Sequence, residues 1–455
     1  MPVIKEKNDK VISGTINTSG YIKVKITRLP KDSTLSEIIK LVGEASNSKA
    51  PISKLADKIS YIFVPIVIVI SILATTIWLL LGYDFEFAMS IGIAILVISC
   101  PCALGLATPV AIMVGIGKGA ENGILIKTAE SLETLSSIDT VVLDKTGTIT
   151  LGKPAVTDII SFNNLEEKEL LRIVYSLESK SEHPLAEAIT TRAKEENIEI
   201  EKVDEFTTIV GRGIQGKIKS DNYIVGNLKF MEEKDVDLKE ILDNKKHEDQ
   251  GKTLLYIGKN QKVIGVIAVK DSIKETSKEA VQSFKNRNLK VIMLTGDNKY
   301  AAEAVQKEIL IENLISEVMP QDKEKVISKL QQEGNKVLMC GDGTNDSPSL
   351  AKADVGIAVG TGTDIAIESA DIVIVKDDLR DVVTAIDLSK IVMKNIKQNL
   401  FWAFFYNIIG IPIAAGILYI PFGLKLNPMI GAAAMSMSSI CVVLNALRIK
   451  RFKSK

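Results

Sequence analysis

The sequence has little histidine, little cysteine and no excess of either charge. Its 455 residues include two histidines and four cysteines, and 56 basic residues balance 56 acidic ones. Two histidines exclude a His-rich metal site, and four cysteines in a chain of this length do not make a disulfide framework. Because no basic excess is present, we expect no nucleic-acid partner. The N-terminal residues MPVIKEKNDK contain no apolar run and are not typical of a signal peptide.

Apolar residues are concentrated in four runs that form two hairpins. The runs cover about residues 63–81, 87–116, 400–421 and 428–447. Their length and their lack of charge favour membrane-spanning helices over buried core helices. Lysine and arginine flank the outer ends of both hairpins, whereas the tips at 82–86 and 422–427 carry one lysine between them. The positive-inside rule therefore places both termini and the central segment in the cytoplasm.

The segment between the two hairpins, residues 119–390, has two sequence patterns. Short apolar runs at 141–143, 291–294 and 337–340 each end at a polar turn that contains glycine. Helical patterns between some of these runs predict a parallel α/β sheet. Residues 156–264 differ, since charged helices and alternating strands replace the apolar runs there. We interpret that stretch as a second domain inserted into the first.

Three of the apolar runs end in acidic motifs, Asp144-Lys145-Thr146-Gly147-Thr148, Thr295-Gly296-Asp297 and Gly341-Asp342-Gly343-Thr344-Asn345-Asp346. Open α/β sheets carry their chemistry at the carboxyl ends of strands, so we expect these side chains to converge. Converging carboxylates repel one another unless a cation lies between them, and Mg²⁺ takes one or two carboxylates together with phosphate oxygens. One aspartate can then accept a phosphoryl group covalently, and Lys323 is the candidate that screens the charge of that group.

These motifs, in this order, resemble the signature of the P-type ATPases, whose phosphorylation domain has a haloacid-dehalogenase-like α/β fold. The resemblance implies that Asp144 becomes an aspartyl-phosphate. It implies that Asp342, Asp346 and the backbone carbonyl of Thr146 hold Mg²⁺. Residues implied to position the phosphate are Thr295, Gly296, Asp297, Lys323, Asn345 and Asp346. Lys145 belongs to the motif, but the resemblance gives it no clear role.

The inserted stretch carries two short motifs, Ser181-Glu182-His183-Pro184 and Gly211-Arg212-Gly213. A lone histidine before proline is more often a surface cap, and two glycines around one residue are a weak signal. Both motifs nevertheless resemble the adenine pocket of metal-pumping P-type ATPases. The resemblance implies that His183 stacks on the base, that Glu182 fixes its ring, and that Gly211 and Gly213 allow close approach of ATP.

The second apolar run contains Cys100-Pro101-Cys102 near its middle. Proline cannot donate a backbone hydrogen bond, so we expect the helix to break there. Such breaks occur in membranes where the backbone is buried in protein or lines a cavity. Two thiols beside the break are soft ligands suited to Cu(I). The alternative is a pair of small buried residues at a kink.

The last two apolar runs carry further polar or soft residues. These are Tyr406 and Asn407 in the third run, and Met435, Ser438 and Ser439 in the fourth. Taken alone, such residues more often pack helices together. With the cysteine pair they match the pattern of copper pumps of the heavy-metal (P1B) subfamily, which implies copper ligands. No Asp or Glu occurs from Asn399 to Lys455, which disfavours a divalent ion, whereas Ag(I) would suit the same ligands.

The resemblance also implies a domain arrangement with four transmembrane helices. Its expected parts are a partial β-rich actuator domain (1–57), a transmembrane hairpin with the Cys-Pro-Cys motif (58–118), the phosphorylation domain (119–155 and 265–390), an inserted α+β nucleotide-binding domain (156–264), and a C-terminal transmembrane hairpin with a basic tail (391–455). Within 1–57, the alternation over residues 21–26 predicts a strand. Relatives carry an actuator loop and further helices before this point, so we expect the chain to be the C-terminal part of a pump.

We therefore expect an integral protein of a bacterial plasma membrane that exports Cu(I) with ATP and Mg²⁺ and receives copper from a cytosolic chaperone. Two alternatives stay open. One is a membrane-tethered phosphatase of the same fold, although such enzymes carry an acidic residue two positions after the nucleophile, where this chain has Thr146. The other is a truncated metal-binding membrane protein that does not pump.

Overall fold

The computed structural model describes residues 4–7, 9, 11, 17, 21–26, 39–40, 43–46, 48–162, 165–181, 184–209, 211–238, 252–297, 299–342, 346–360 and 368–453. These residues divide into two compact units. The first, here called the sheet unit, comprises Asp139–Ala370 and Asp377–Arg380. The second, the helical unit, comprises Met1–Ile138, Asp371–Lys376 and Asp381–Lys455.

The helices, in chain order, are α1 (Pro51–Leu80), α2 (Phe85–Ile98), α3 (Cys102–Glu121), α4 (Ala129–Leu135), α5 (Glu167–Glu178), α6 (Pro184–Glu195), α7 (Leu228–Glu233), α8 (Ser277–Lys285), α9 (Lys299–Ile309), α10 (Lys323–Gln332), α11 (Ser347–Lys352), α12 (Leu379–Ala414), α13 (Tyr419–Phe422) and α14 (Pro428–Leu447). The strands are β1 (Ile124–Ile126), β2 (Thr140–Asp144), β3 (Thr150–Ser161), β4 (Val203–Ile209), β5 (Gly213–Ile218), β6 (Asp221–Gly226), β7 (Thr253–Lys259), β8 (Lys262–Ile273), β9 (Lys290–Leu294), β10 (Asn313–Ile315), β11 (Val337–Gly341), β12 (Val355–Val359) and β13 (Ile372–Ile374).

Five strands of the sheet unit form the parallel sheet that the apolar runs predicted. Their order is β12-β11-β2-β9-β10, and all four neighbouring pairs are parallel. Every residue of β2, β11 and β12 is buried, as expected for a parallel sheet covered on both faces. β2 lies between β9 and β11, which follow it by long connections. Its carboxyl end is therefore a point where loops from three strands meet.

The sheet unit also contains a second, antiparallel sheet, in the order β3-β8-β7-β6-β5-β4. Helices α5 and α6 cover one face, where Leu170, Val174 and Ile189 pack with buried residues of β5, β7 and β8. Helix α7 contributes Phe230 and Met231 to a separate cluster with Tyr256 and Val266. The alternating burial of β5 follows from this packing, because successive residues of a strand point to opposite faces.

The helical unit contains three helical segments that are long and apolar enough to cross a membrane, as judged over the described residues. They are Gly43–Leu80, Phe85–Glu121 and Pro428–Arg451. The middle segment is broken between Ile98 and Cys102, where α2 ends and α3 begins. The break predicted at Pro101 is therefore confirmed, and Pro101 itself precedes the first residue of α3.

Two regions differ from the expected pattern. The run at 400–421 is not one continuous helix: α12 ends at Ala414, turns follow, and α13 begins at Tyr419. Gly416 in these turns has φ +88°, a left-handed value that ends a right-handed helix. Residues 21–26, where the alternation predicts a strand, form no strand in the structure, and their side chains are exposed. Hydrophobic alternation does not make a sheet without a hydrogen-bonded neighbour.

Candidate functional site

The acidic motifs meet at the carboxyl end of the parallel sheet. Asp144, the last residue of β2, pairs with Leu294, the last residue of β9, so Thr295 follows directly beyond the strand. On the other side, Leu143 pairs with Cys340 of β11, and Asp342 lies one residue beyond that strand. The strand register alone thus brings the three motifs together.

A glycine allows the turn after Asp144 to approach the third motif closely. Residues Lys145–Ile149 form a tight turn in which Thr146 is extended and Gly147 has φ +72°. A Cβ atom added to Gly147 would lie 2.5 Å from Oδ2 of Asp342. Glycine is therefore required both for its left-handed conformation and for close approach of the turn to the Asp342 carboxylate.

Lys323 connects the first and third motifs. It begins α10, directly after a short helical turn at Pro320–Asp322, and its side chain is buried. Nζ donates hydrogen bonds to Oδ1 of Asp144 and Oδ1 of Asp346, each at 2.6 Å. Burial by itself would lower the pKa of Lys323, but the charges of Asp144 and Asp346 outweigh burial, so that pKa lies above its ordinary value. The lysine therefore stays charged.

The cluster carries more negative charge than Lys323 can balance. Burial, followed by the charges of Asp346 and Asp342, raises the pKa of Asp144 to about 7, although Lys323 opposes the shift. A cation beside Asp342 and Asp346 would relieve this repulsion, so these residues fit Mg²⁺. No group of three or more His, Cys, Asp or Glu residues encloses a metal within the described parts of the chain.

Lys145, whose role the resemblance leaves unclear, forms an ion pair with Asp297 of the second motif. The Thr295 hydroxyl accepts a hydrogen bond from the backbone N–H of Asp297 at 3.2 Å. Thr295 is itself buried, and its N–H is bonded to the carbonyl of Ile315. The ion pair between Lys145 and Asp297 therefore joins the first and second motifs, as Lys323 joins the first and third. Gly296, which lies between Thr295 and Asp297 in the chain, is exposed.

Some predicted site residues lie outside the described residues. These are Asn345 of the third motif and Glu182 and His183 of the inserted stretch. Thr146 is described, and its side chain is exposed.

The two predicted glycines of the inserted stretch form a turn that another motif supports. Gly211 has φ +72°, and its carbonyl accepts a hydrogen bond from the side-chain amide of Asn227 at 3.0 Å. A Cβ on Gly213 would lie 2.1 Å from the carbonyl oxygen of Val225. The Asn227 side chain also accepts a hydrogen bond from Phe230 at the start of α7. The structure therefore brings Gly211 and Gly213 together with Gly226-Asn227.

One residue of this stretch was missed in the sequence. Glu178, the last residue of α5, lines a cavity of about 690 Å³ together with Tyr175, Ser181, Glu187 and Lys194. Burial raises the pKa of Glu178 to about 7, against a hydrogen bond from Ser181 that lowers it. Its Oε2 atom is buried and has no hydrogen-bond partner in the described part of the chain. An acidic residue on the apolar face of α5 was the available signal.

The break at Cys100 lies where α12 and α14 both approach α2. A Cβ on Gly410 of α12 would lie 2.6 Å from Cδ1 of Ile98, and one on Gly431 of α14 would lie 3.9 Å from its Cβ. On the other side of the break, Ala103 and Ala107 of α3 pack with Ala403 of α12 and Val442 of α14. The segments of α12 and α14 that lie opposite the break are therefore 403–410 and 431–442.

All the metal candidates of the last two apolar runs fall within these segments. Asn407 is 3% exposed, and its Oδ1 atom has no hydrogen-bond partner among the described residues. Ser438 is 6% exposed, whereas Tyr406 is 44% exposed. Met435 packs against the cluster that contains Ile98, and the Ser439 hydroxyl lies 3.4 Å from the Met435 carbonyl. Cys102 begins α3, and its side chain lies outside what the structure describes.

Two family models match the chain. The haloacid dehalogenase-like hydrolase model matches residues 138–354. This match confirms the fold expected for the parallel sheet. The P-type ATPase actuator domain model matches residues 1–43, which confirms the relationship expected for the N-terminal residues.

Similar proteins are metal-exporting ATPases. The copper-exporting P-type ATPase of Bacillus subtilis (strain 168) is 49% identical over 457 residues, which cover 100% of this chain and 56% of the relative. The silver exporting P-type ATPase of Salmonella typhimurium is 44% identical, with 99% of this chain and 55% of the relative covered. The chain thus spans a little over half the length of these relatives.

A solved structure agrees with the sequence comparisons. A zinc-transporting PIB-type ATPase in its E2.Pi state superposes with a TM-score of 0.74 at 32% identity, covering 92% of this chain and 68% of that one. An identity of this size over two thirds of the solved chain, together with the converging aspartates and Lys323, identifies the family. The chain belongs to the P-type ATPases of the heavy-metal (PIB) type.

Proposed function

We propose that this protein uses ATP to transport Cu(I) across a membrane, in the direction of export, through an aspartyl-phosphate intermediate. The observation that carries the proposal is the buried cluster in which Lys323 bonds both Asp144 and Asp346 at the end of β2. Ag(I) is the alternative cargo, because the same soft ligands bind it and one relative exports silver.

The reaction starts with attack of a carboxylate oxygen of Asp144 on the γ-phosphorus of ATP. The bond to the β–γ bridging oxygen breaks, ADP leaves with that electron pair, and Asp144 becomes an acyl phosphate. Lys323 lies against Asp144 and balances negative charge on the transferred group. Lys145, Asp297 and Thr295 keep the second motif beside the nucleophile, with Asn345 as a further phosphate contact. Asp342, Asp346 and the Thr146 carbonyl would hold Mg²⁺, which would neutralise charge at the phosphate oxygens.

The acyl phosphate would persist long enough to drive transport because the position of the general acid in the phosphatases of this fold is occupied by a threonine. A phosphatase of this fold hydrolyses its intermediate with an acidic residue two positions after the nucleophile. Here that position is Thr146, and a hydroxyl does not exchange protons at neutral pH as a carboxyl does. This residue favours a pump over the phosphatase alternative.

Residues 156–264 are proposed to bind the nucleotide. Gly211 and Gly213 allow the backbone to approach the ligand, and Asn227 holds their turn. His183 would stack on adenine, with Glu182 fixing its ring. We add Glu178, since its Oε2 atom is buried in a cavity of about 690 Å³ without a hydrogen-bond partner among the described residues, and a polar ligand group could bond it.

The proposed copper site uses neutral or soft groups around the helix break. In their reduced form Cys100 and Cys102 would supply thiolates. The 403–410 and 431–442 segments supply the other candidates: Tyr406, Asn407, Met435, Ser438 and Ser439. No carboxylate occurs from Asn399 onward. A site with little compensating negative charge suits a monovalent ion better than Zn²⁺, the cargo of the solved relative.

The domain arrangement given above, with boundaries at 57, 118, 155, 264 and 390, remains part of the proposal. The protein would lie in a bacterial plasma membrane with its soluble region in the cytoplasm, as the flanking lysines favour. A cytosolic copper chaperone is the proposed donor, since a soft cation in a thiol-rich cytosol travels bound to soft ligands.

Metal-dependent phosphoenzyme formation tests the function. The full chain in membranes is given γ-labelled ATP, with Cu(I), with Zn²⁺ or with a Cu(I) chelator. We expect acid-stable, hydroxylamine-sensitive label that depends on Cu(I). Rapid loss of label with metal-independent phosphate release would indicate the phosphatase, and Cu(I) binding without any label would indicate a non-catalytic metal-binding protein.

A further inference from the structure

Lys274 is a buried lysine that contacts the phosphorylation turn but belongs to none of the three motifs. It directly follows β8, and its side chain is 5% exposed. Nζ donates a hydrogen bond to the carbonyl oxygen of Gly147 at 2.7 Å and forms an ion pair with Asp377. Burying an ammonium group is costly unless it is bonded, so these two acceptors determine where the side chain lies.

The residues around Lys274 support the same turn through separate contacts. The backbone N–H of Lys274 donates to the carbonyl of Ile149 at 3.1 Å, and the hydroxyl of Ser277 donates to that carbonyl at 2.7 Å. The hydroxyl of Thr150 bonds the carboxylate of Asp271. Residues 271–277 therefore bond the end of the turn at Ile149 and Thr150, and the side chain of Lys274 adds a hydrogen bond at Gly147.

Asp377 packs closely against Gly360. A Cβ on Gly360, which has φ +83°, would lie 3.2 Å from Oδ1 of Asp377. The side chain of Asp377 is 51% exposed, whereas that of Lys274 is 5% exposed. Asp377 is therefore a half-exposed partner whose charge orients the buried ammonium group of Lys274. The Gly147 carbonyl is the contact of Lys274 on the side of the active site.

Gly147 is the position of the turn that most needs such a contact. As a glycine with φ +72° it has wide conformational freedom. Rotation about its backbone bonds would turn the preceding peptide plane, which carries the Thr146 carbonyl. A charge-assisted hydrogen bond to the Gly147 carbonyl restricts that rotation.

We infer that Lys274 is a positioning residue for phosphorylation: by holding the Gly147 carbonyl it keeps the Thr146 carbonyl aimed at Mg²⁺. The inference rests on the proposed function, since Thr146 acts there as an Mg²⁺ ligand. Lys274 itself contacts neither ATP nor the metal. Its loss should change the requirement for Mg²⁺ and leave nucleotide affinity unchanged.

The test is the Mg²⁺ concentration that gives half-maximal labelling of the full chain by γ-labelled ATP. Lys274→Met keeps the length of the side chain and removes the donor, and we expect this concentration to rise about tenfold. Binding of ATP in the absence of Mg²⁺ should equal that of the parent. Lys270→Met is the matched control, because Lys270 lies on β8, the strand that Lys274 follows, and pairs with Glu308 at 3.4 Å. It should behave as the parent.

Asp377→Asn provides a second measurement if Lys274→Met does not fold. It leaves Lys274 in place but removes the charge that orients it, so the requirement for Mg²⁺ should rise by a smaller factor. An unchanged Mg²⁺ requirement in both folded variants, or an equal rise in Lys270→Met, would refute the inference. Failure of the proposed function is distinguishable, because it would appear as labelling that survives Asp144→Asn in the parent background.

Discussion

The proposed phosphorylation site in the sheet unit and the helix break in the helical unit differ in how they handle charge. At the first, Asp144, Asp346 and Lys323 are buried, and Lys323 is bonded to both aspartates. At the second, the residues opposite the break are neutral, and Asn407 keeps a buried oxygen without a partner among the described residues. A site for covalent phosphoryl transfer needs balanced charges that do not move. A site that must release its cargo needs ligands that do not hold it too tightly.

The difference also determines how the two sites are built. Strand register fixes the proposed catalytic residues, because Asp144 must lie beside Leu294 once β2 and β9 pair. The metal candidates instead depend on helix packing, as at Gly410, where an added Cβ would lie 2.6 Å from the side chain of Ile98. Backbone hydrogen bonds set the strand register, whereas side-chain contacts set the packing of the helices.

The largest expected effect concerns the charged site. Asp144→Asn preserves size but removes the nucleophilic carboxylate, so acid-stable labelling by γ-labelled ATP should fall by about 10⁴-fold or more. Asp139→Asn is the control. Asp139 precedes the other end of β2, where its Oδ1 accepts a bond from the N–H of Lys336 that asparagine can also accept. It should label normally, and label on the Asp144 variant at the level of the parent would remove Asp144 from the mechanism.

The next effect concerns the neutral site. Replacement of both Cys100 and Cys102 by serine removes the soft ligands, and Cu(I) affinity should fall by about a thousandfold or more while ATP binding persists. Competition with a chromophoric Cu(I) chelator measures the affinity. Cys441→Ser is the matched control, because Cys441 is an exposed cysteine of α14. Equal Cu(I) affinity in the double variant and the control would contradict the assignment.

The sequence predicted the first site better than the second, for a physical reason. Apolar runs that end in Asp144, Asp297 and Asp342 require only that parallel strands pair, and the resulting convergence follows from local pattern. The break at Pro101 was likewise predictable because proline removes a backbone donor. These features depend on residues close together in the chain.

What could not be predicted depends on long-range packing. The pairing of Lys145 with Asp297 joins residues 152 positions apart, and no local pattern indicates it. The burial of Glu178 depends on how α5 packs on its sheet. The length of α12 was also missed, since its first twenty or so residues are amphipathic and only its later part is apolar. Each of these facts exists only after the elements have assembled.

Glu178 offers a test of charge burial outside both sites. Its pKa rises from 4.5 to about 7 on folding, so the folded unit binds the proton more tightly than the unfolded chain. This term favours folding most below pH 4.5, and its contribution is lost as the pH rises from 4.5 to about 7. A difference of about 2.5 units corresponds to roughly 3 kcal/mol.

Glu178→Gln should remove this pH dependence, so the variant should be more stable than the parent at pH 8 and similar near pH 5. Amide hydrogen exchange in β5 to β7 of the full chain, corrected for the intrinsic effect of pH, measures the change. Glu187→Gln, which alters another residue lining the same cavity, is the control. A parallel fall in the stability of Glu178→Gln and the parent would show that Glu178 is ionised in the folded unit without cost.

The smallest expected effect addresses the neutral site again and separates a ligand from a packing defect. Asn407→Leu replaces an amide whose Oδ1 is buried without a described partner, so the free energy of unfolding should stay the same or increase. If that oxygen binds Cu(I), affinity should nevertheless fall by about tenfold, the modest factor expected when a hard oxygen serves beside soft thiolates. Asn399→Leu is the contrast, because Asn399 accepts a hydrogen bond from Asn445 at 2.8 Å, and its loss should cost about 1–3 kcal/mol of stability. Higher stability of Asn407→Leu with unchanged Cu(I) affinity would make Asn407 a helix-packing residue and restrict the cargo ligands to the cysteine pair and α14.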